Sequence, residues 1–253
     1  MRKVIASFAV VALPYIASAQ SGSAYVGHDK VSAALARGGK LIDDGKIRVV
    51  GGHHDKPGPL PAETGTTVFY ITDGGGQLSV AGKNYALTKS DVIVVPAGAS
   101  RALTTVSTSI SYYQVVVPVH AKDAKAEVVH VGHEKVAPTL KKAGPIADGP
   151  NMRVSGGYRT GPYAPEDYRP DVEIHAKEAD LFYVIDGSAT QVLGGTVVGG
   201  RDTAPGQIRG SKIDGGQTYH LAKGDVMWVP AGVPHWFPEI PQPLSYLLVK
   251  VFY

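Results

Sequence analysis

Four residues in the last third of the chain have the side chains that hold a metal ion: Glu173, His175, Asp180 and His235. In an extended strand, residues two apart face the same way. Glu173 and His175 therefore share one side of a strand, and Asp180 and Phe182 share one side of the next. His235 follows the turn Pro230-Ala-Gly232, which can bring it beside them. The inward face of a small barrel is otherwise apolar, so acids and imidazoles there are costly unless they share a cation. The chain has Cys 0, which leaves His, Asp and Glu as metal donors. Two imidazole nitrogens with one or two carboxylate oxygens suit one divalent ion: Fe, Mn, Zn or Cu. The expected metal set is thus His175, His235, Asp180 and Glu173. Asp180 and Glu173 are also the expected catalytic groups, since a carboxylate not needed by the ion can act as a general base. Blander readings stand beside this one. Asp180 can instead bond backbone groups at a strand start, Glu173 can be a solvated outward residue, and Glu178 is a loop alternative to Asp180.

Short strands must position these groups. Ile47 to Val50, Thr67 to Thr72, Gln77 to Val80, Asp91 to Val95 and Ser111 to Val119 are β-branched or aromatic runs bounded by Gly, Pro or Asp. Met152 to Ser155, Val172 to His175, Asp180 to Ile185, Thr190 to Leu193, Asp225 to Val229 and Leu244 to Phe252 repeat the pattern. Asp73-Gly74 reads as a tight hairpin turn. Two short helices are expected, one over Lys30 to Arg37 capped by Asp29, the other over Pro138 to Lys142. The fold class is all-β: two tandem antiparallel β-barrels with short helices.

The tandem arrangement follows from an internal repeat. Val26-Gly-His28 matches Val131-Gly-His133, and Arg48-Val-Val-Gly51-Gly52 matches Arg153-Val-Ser-Gly156-Gly157. Val68-Phe-Tyr-Ile-Thr-Asp73-Gly74 matches Leu181-Phe-Tyr-Val-Ile-Asp186-Gly187. Ser90-Asp-Val-Ile-Val-Val-Pro96-Ala-Gly98 matches Gly224-Asp-Val-Met-Trp-Val-Pro230-Ala-Gly232. The expected units are a leader over 1–19, a first domain over 20–120 and a second over 121–253, with a polar linker at Ala121 to Glu127. Gly194 to Gly216 is a Gly-rich insert in the second copy only.

The first copy has no equivalent metal set. Leu60, Ala62, Thr67 and Arg101 stand where Glu173, His175, Asp180 and His235 stand. Arg101 is at most an anion-binding group. His53 and His54 are adjacent and face opposite ways in a strand, which is unsuited to chelating one ion. His28 and His133 recur beside helix starts, where capping or packing roles are expected.

Composition narrows the partners. The formal charge is +3, and it falls to +1 once Arg2 and Lys3 leave with the leader, so charge makes no case for nucleic acid. Met1-Arg2-Lys3, an apolar run from Val4 to Ile16, and Ala17-Ser18-Ala19 read as a secretory signal peptide. An exported protein, periplasmic or extracellular, is expected, with no membrane contact after cleavage. No Gly-x-Ser-x-Gly elbow occurs.

The chain resembles a bicupin, two cupin β-barrels in one polypeptide. The second cupin motif is Gly, five residues, Pro, any residue, Gly, two residues, His; Gly224, Pro230, Gly232 and His235 fill it. The first motif is more loosely matched: His175 and Gly187 fit, Asp180 stands for the usual Glu, and Glu173 stands for the first His. The resemblance covers nearly all of the mature chain. It implies double-stranded β-helix barrels and one divalent metal in the second barrel. It also implies a small-molecule substrate, such as a sugar or an organic or aromatic acid, and pairing into homodimers. Oxygenase, isomerase and lyase chemistries all occur among cupins, so resemblance leaves the reaction open. A non-catalytic binding protein with a structural ion is the other reading.

Overall fold

The computed structural model describes residues 15–16, 22–119, 126–162 and 172–253. The expected leader lies outside the described residues except at Tyr15–Ile16 (β1), and the expected linker lies largely outside them. β1 runs antiparallel to Thr196 and Val197.

Strands dominate, in two barrels. The first half contributes Ala24–Val26 (β2), helix α1 (His28–Arg37), Gly39–Asp43 (β3), Arg48–His54 (β4), Gly58–Leu60 (β5), Gly65–Val80 (β6), Lys83–Thr88 (β7), Val92–Val95 (β8) and Arg101–Pro118 (β9). The second contributes Val129–Val131 (β10), helix α2 (His133–Thr139), Gly144–Gly149 (β11), Met152–Arg159 (β12), Val172–His175 (β13) and Glu178–Leu193 (β14). Within its insert lie Thr196–Val198 (β15), Arg201–Ala204 (β16), Gln207–Gly210 (β17) and Lys212–Asp214 (β18). Gln217–Ala222 (β19), Val226–Val229 (β20) and His235–Phe252 (β21) complete it. The pairings between described strands are antiparallel, with β6–β9 and β14–β21 as the two long central pairs.

Each barrel borrows a strand from the other half. β2 pairs with β20 of the second barrel, and β10 pairs with β8 of the first. The helices after them are anchored the same way. Asp225 Oδ1 accepts the backbone N–H of His28 at 2.7 Å, and Asp91 Oδ1 accepts that of His133 at 2.6 Å. This corrects the helix expectations. α1 begins at His28 behind Gly27, with no cap from its own segment, and Asp29 lies in its first turn. α2 begins at His133 and ends at Thr139, with Pro138 inside it. Local sequence could not locate these starts, because the capping carboxylates come from the opposite barrel.

Strand alternation sorts the core. In β6, Val68 and Tyr70 face the other barrel, whereas Phe69 and Ile71 fill the first barrel. In β14, Leu181 and Tyr183 face the interface, and Phe182 and Val184 fill the second barrel. Both faces of these strands are covered, so their apolar runs are continuous. Tyr113 and Tyr183 stack at 4.8 Å across the junction, and Trp228 Nε1 donates to Asp44 Oδ2 at 2.8 Å.

Asp73-Gly74 does not close a hairpin. β6 runs straight through it, with register shifts against β9 between Ile71 and Asp73 and between Gly74 and Gly76. Gly187 marks the same bulge in β14. It has φ 82°, and a Cβ there would lie 1.9 Å from the carbonyl oxygen of Pro243. The glycine therefore bends a long strand instead of ending a short one.

Candidate metal centre

Strand register assembles the cluster. Glu173 on β13 lies directly opposite His235, the first residue of β21. Asp180 on β14 lies opposite Lys250, further along β21. Period-two alternation then brings His175 to the same side as Glu173, and Asp180 to the inward side shared by Phe182.

The structure brings all four expected residues together. Each offers one donor atom, and these atoms all lie within 4.8 Å of one another. His175 Nε2 is 3.6 Å from Glu173 Oε2 and 3.5 Å from Asp180 Oδ2. His235 Nε2 is 3.5 Å from each of the same two oxygens. His175, Asp180 and His235 are buried, and Glu173 is partly exposed at the edge of the cluster. Both imidazoles thus aim Nε2 at a common point between two carboxylates.

Neighbours hold each donor in place. Gln207 Oε1 lies 2.5 Å from His175 Nδ1, which places the proton on Nδ1 and leaves the Nε2 lone pair free when the ring is neutral. The Val233 carbonyl sits 3.2 Å from His235 Nδ1 and has the same effect there. Arg209 Nη1 pairs with Glu173 Oε1 at 2.9 Å, and Lys250 Nζ pairs with Asp180 Oδ1 at 2.8 Å. Lys250 also meets Glu178 Oε2 at 3.0 Å. Glu178 starts β14 and flanks His175 Nδ1 at 3.8 Å; the cluster takes Asp180 and not Glu178.

Electrostatics make this a strongly coupled site. For His175, burial opposes the charged ring, but the Asp180 and Glu173 carboxylates prevail and lift it to about 9. His235 is likewise raised against burial by Asp180 and Glu173. Burial alone would raise the acids, yet the two imidazoles hold Glu173 and Asp180 below the usual carboxylate range, with Arg209 and Lys250 adding to the effect. Protons on the rings thus stand where a metal cation would stand.

The residues fit an ion. His235 Nε2 is buried and makes no hydrogen bond of its own. A buried polar atom of that kind calls for a partner, and a divalent cation between two imidazoles and two carboxylates supplies one.

The first barrel has the same register with other residues. Leu60 lies opposite Arg101, as Glu173 lies opposite His235. Thr67 lies opposite Val116, as Asp180 lies opposite Lys250. Arg101 is buried, donates from Nε to the Pro61 carbonyl at 2.7 Å, and pairs with Glu63 Oε1 at 3.2 Å. Glu63 is also held by Arg48 and by Gln114. The anion met by Arg101 is therefore internal. His53 bonds to Ser111 and His54 to Tyr112, and the two rings share no ion site.

Sequence reasoning missed Gln207 and Lys250, and it did not connect Arg209 to the site. The insert is not a free loop: β17 adds to β13, placing Gln207 opposite His175 and Arg209 opposite Glu173. Lys250 carried a readable signal. It continues the inward row of Leu244, Tyr246 and Leu248, where a lysine is out of character.

No family model matches the chain, and neither does any curated protein. Solved structures do. A salicylate 1,2-dioxygenase from Pseudaminobacter salicylatoxidans is 10% identical, with a TM-score of 0.63 over 90% of this chain and 84% of that one. A cupin 2 conserved barrel domain protein from Leptotrichia buccalis is 13% identical, with a TM-score of 0.51 over 95% of this chain and 96% of that one. A putative glyoxylate-induced protein from Pseudomonas aeruginosa is 15% identical, with a TM-score of 0.53 over 82% and 75%. At these identities the likeness is one of fold. Two antiparallel barrels in tandem, spanned almost end to end by such neighbours, give this chain the fold of a bicupin.

Proposed function

We propose that the second barrel binds one divalent metal ion through His175, His235, Asp180 and Glu173, and is a metal-dependent enzyme acting on a small organic acid. The observation that carries this reading is the convergence of four donor atoms on one buried point. Among similar folds, salicylate 1,2-dioxygenase has also been solved as adducts with gentisate, which makes aromatic acids the first substrates to try. A bound metal would supply Lewis-acid chemistry or an oxygen-binding position.

The protein's own groups have definable tasks. The histidines present Nε2 lone pairs, oriented by Gln207 and the Val233 carbonyl. Phe182, with its ring 6.3 Å from that of His235, and behind it Phe237 and Tyr246, form an apolar wall that keeps water from one side of the cluster. Glu173, the most accessible of the four, stands at the edge of the cluster, where a substrate arriving from outside would meet the site.

The burial of three of the four donors favours a second reading, an ion held for structure alone. Purified protein should contain about one metal per chain, and His235→Ala should lose it while keeping its far-UV circular dichroism. Added azide or cyanide should change the spectrum of the metal if a coordination position is open, and leave it unchanged if the site is closed and structural. Protein that takes up no divalent ion on reconstitution overturns both readings. On the strength of the leader-like start, we place the protein outside the cytoplasm; sequencing the mature N-terminus tests this. Pairing of two chains is an expectation for sedimentation to test.

A further inference from the structure

Arg209 and Lys250 face the two carboxylates of the cluster from directly opposite positions on neighbouring strands. Glu173 is in register with Arg209, and Asp180 with Lys250. Each cation makes an ion pair with one oxygen of its acid, Glu173 Oε1 at 2.9 Å and Asp180 Oδ1 at 2.8 Å, without the alignment of a hydrogen bond. The other oxygen of each acid, Glu173 Oε2 or Asp180 Oδ2, is the one that faces both imidazoles.

The distances among the free donor atoms are telling. The four histidine-to-carboxylate separations are 3.6, 3.5, 3.5 and 3.5 Å. A tetrahedron with arms of about 2.0–2.2 Å has edges of roughly 3.3–3.6 Å, whereas neighbouring ligands of an octahedron with those arms lie about 2.8–3.1 Å apart. Those four separations match tetrahedral edges, and the other two, between the histidines and between the acids, lie within 4.8 Å.

We infer that Arg209 and Lys250 set the denticity of the site: by occupying the second oxygen of each carboxylate, they restrict Glu173 and Asp180 to one bond each and impose a four-point, near-tetrahedral arrangement. This rests on the metal reading of the same cluster; in an enzyme, substrate would have to add as a fifth ligand, whereas a structural ion needs none. The first barrel supports the link between the cations and the ligands. There the counterpart of the Asp180–Lys250 pair is Thr67–Val116, and that of the Glu173–His235 pair is Leu60–Arg101. Among the described residues the first barrel has neither carboxylate at the matching positions and no counterpart of Arg209 or Lys250; its own ion pairs, Arg48 and Arg101 with Glu63, lie elsewhere. Surface ion pairs are weak and interchangeable, but these two are built into the strand register and lie largely out of solvent, with side-chain exposures of 26% and 29% for Arg209–Glu173 and 20% and 3% for Lys250–Asp180.

Cobalt(II) reads the geometry directly, because its visible absorption is intense in four-coordinate sites and weak in six-coordinate ones. The test loads the full-length mature protein, stripped of metal, with cobalt(II) and compares wild type with Lys250→Met, Arg209→Leu and Lys250→Arg. Wild type should show intense bands. Lys250→Met and Arg209→Leu should still bind one cobalt(II), but with bands weakened to the intermediate intensity of a five-coordinate ion as the one released oxygen adds to it. Lys250→Arg should keep it. A fully bound variant with the wild-type spectrum overturns the inference and leaves the metal reading standing, as does a weak, six-coordinate spectrum in wild type. Failure of wild type to bind cobalt(II), zinc(II) or manganese(II) overturns the metal reading and this inference with it. If Lys250→Met fails to fold, the Arg209→Leu arm decides alone.

Discussion

Glu173 and His235 are separated by a long stretch of chain, yet they are direct cross-strand partners, with Glu173 Oε2 3.5 Å from His235 Nε2. The insert between them supplies β17, which flanks β13 on its other side and puts Arg209 against Glu173. One strand of four residues thus carries two cluster donors and is clamped from both edges.

The clamp makes Gln207 a positioning residue. Replacing it with Leu removes the acceptor on His175 Nδ1 and lets the ring adopt the wrong tautomer. Metal affinity should fall about 10–100-fold with stoichiometry unchanged. Competition with a chelator measures this. Affinity within twofold of wild type would show that Gln207 only packs.

The metal-free protein should have a characteristic pH dependence. His175 is raised to about 9, above its usual value near 6.5, so its contribution to stability is complete below about 6.5 and is lost as pH rises through about 9. Glu173 and Asp180 are lowered, so theirs is complete above about 4 and is lost as the medium becomes more acid. The melting temperature of metal-free protein should therefore peak between about pH 4 and 6.5 and decline toward pH 9. Saturating metal binds the neutral rings, so it should remove the alkaline decline, and its uptake at pH 7 should release protons. A flat profile for metal-free protein between pH 6 and 9 contradicts the arrangement.

The helix anchors predict a coupling between the barrels. Asp225→Ala removes the acceptor for the His28 N–H and for the Tyr25 hydroxyl, which lies 3.0 Å from Asp225 Oδ2. A loss of about 1–3 kcal/mol is expected from the unsatisfied groups. Denaturant titration gives the value, and hydrogen exchange should show α1 opening before the barrel strands.

Gly187→Ala should be severe. The residue has φ 82°, and a Cβ would meet the Pro243 carbonyl at 1.9 Å. Backbone strain alone costs about 1–3 kcal/mol, and the clash adds to it. Gly58→Ala, where a Cβ has nothing within 4 Å, is the control and should melt close to wild type.

Much was legible in the chain. The repeated segments located both barrels, and period-two spacing placed Glu173 with His175 and Asp180 with Phe182 because strand geometry is local. Arg101 at the position matching His235 marked the first barrel as the one without that imidazole. Helix starts were misread for the opposite reason: Asp91 and Asp225 act from the other barrel, and no local cap signal reveals that. The bulge at Gly74 read as a turn, since glycine marks both.

Residue types, strand periods and the duplication can be read along the chain, the periods because they depend on near neighbours and the duplication because its blocks recur in order. Only the tertiary structure decided that Asp180 and not Glu178 faces the histidines, that Gln207 and Arg209 of the insert serve the site, and that Lys250 takes one oxygen of Asp180. Those choices follow from which strands pair and in what register, and register is set by burial of whole faces of a sheet.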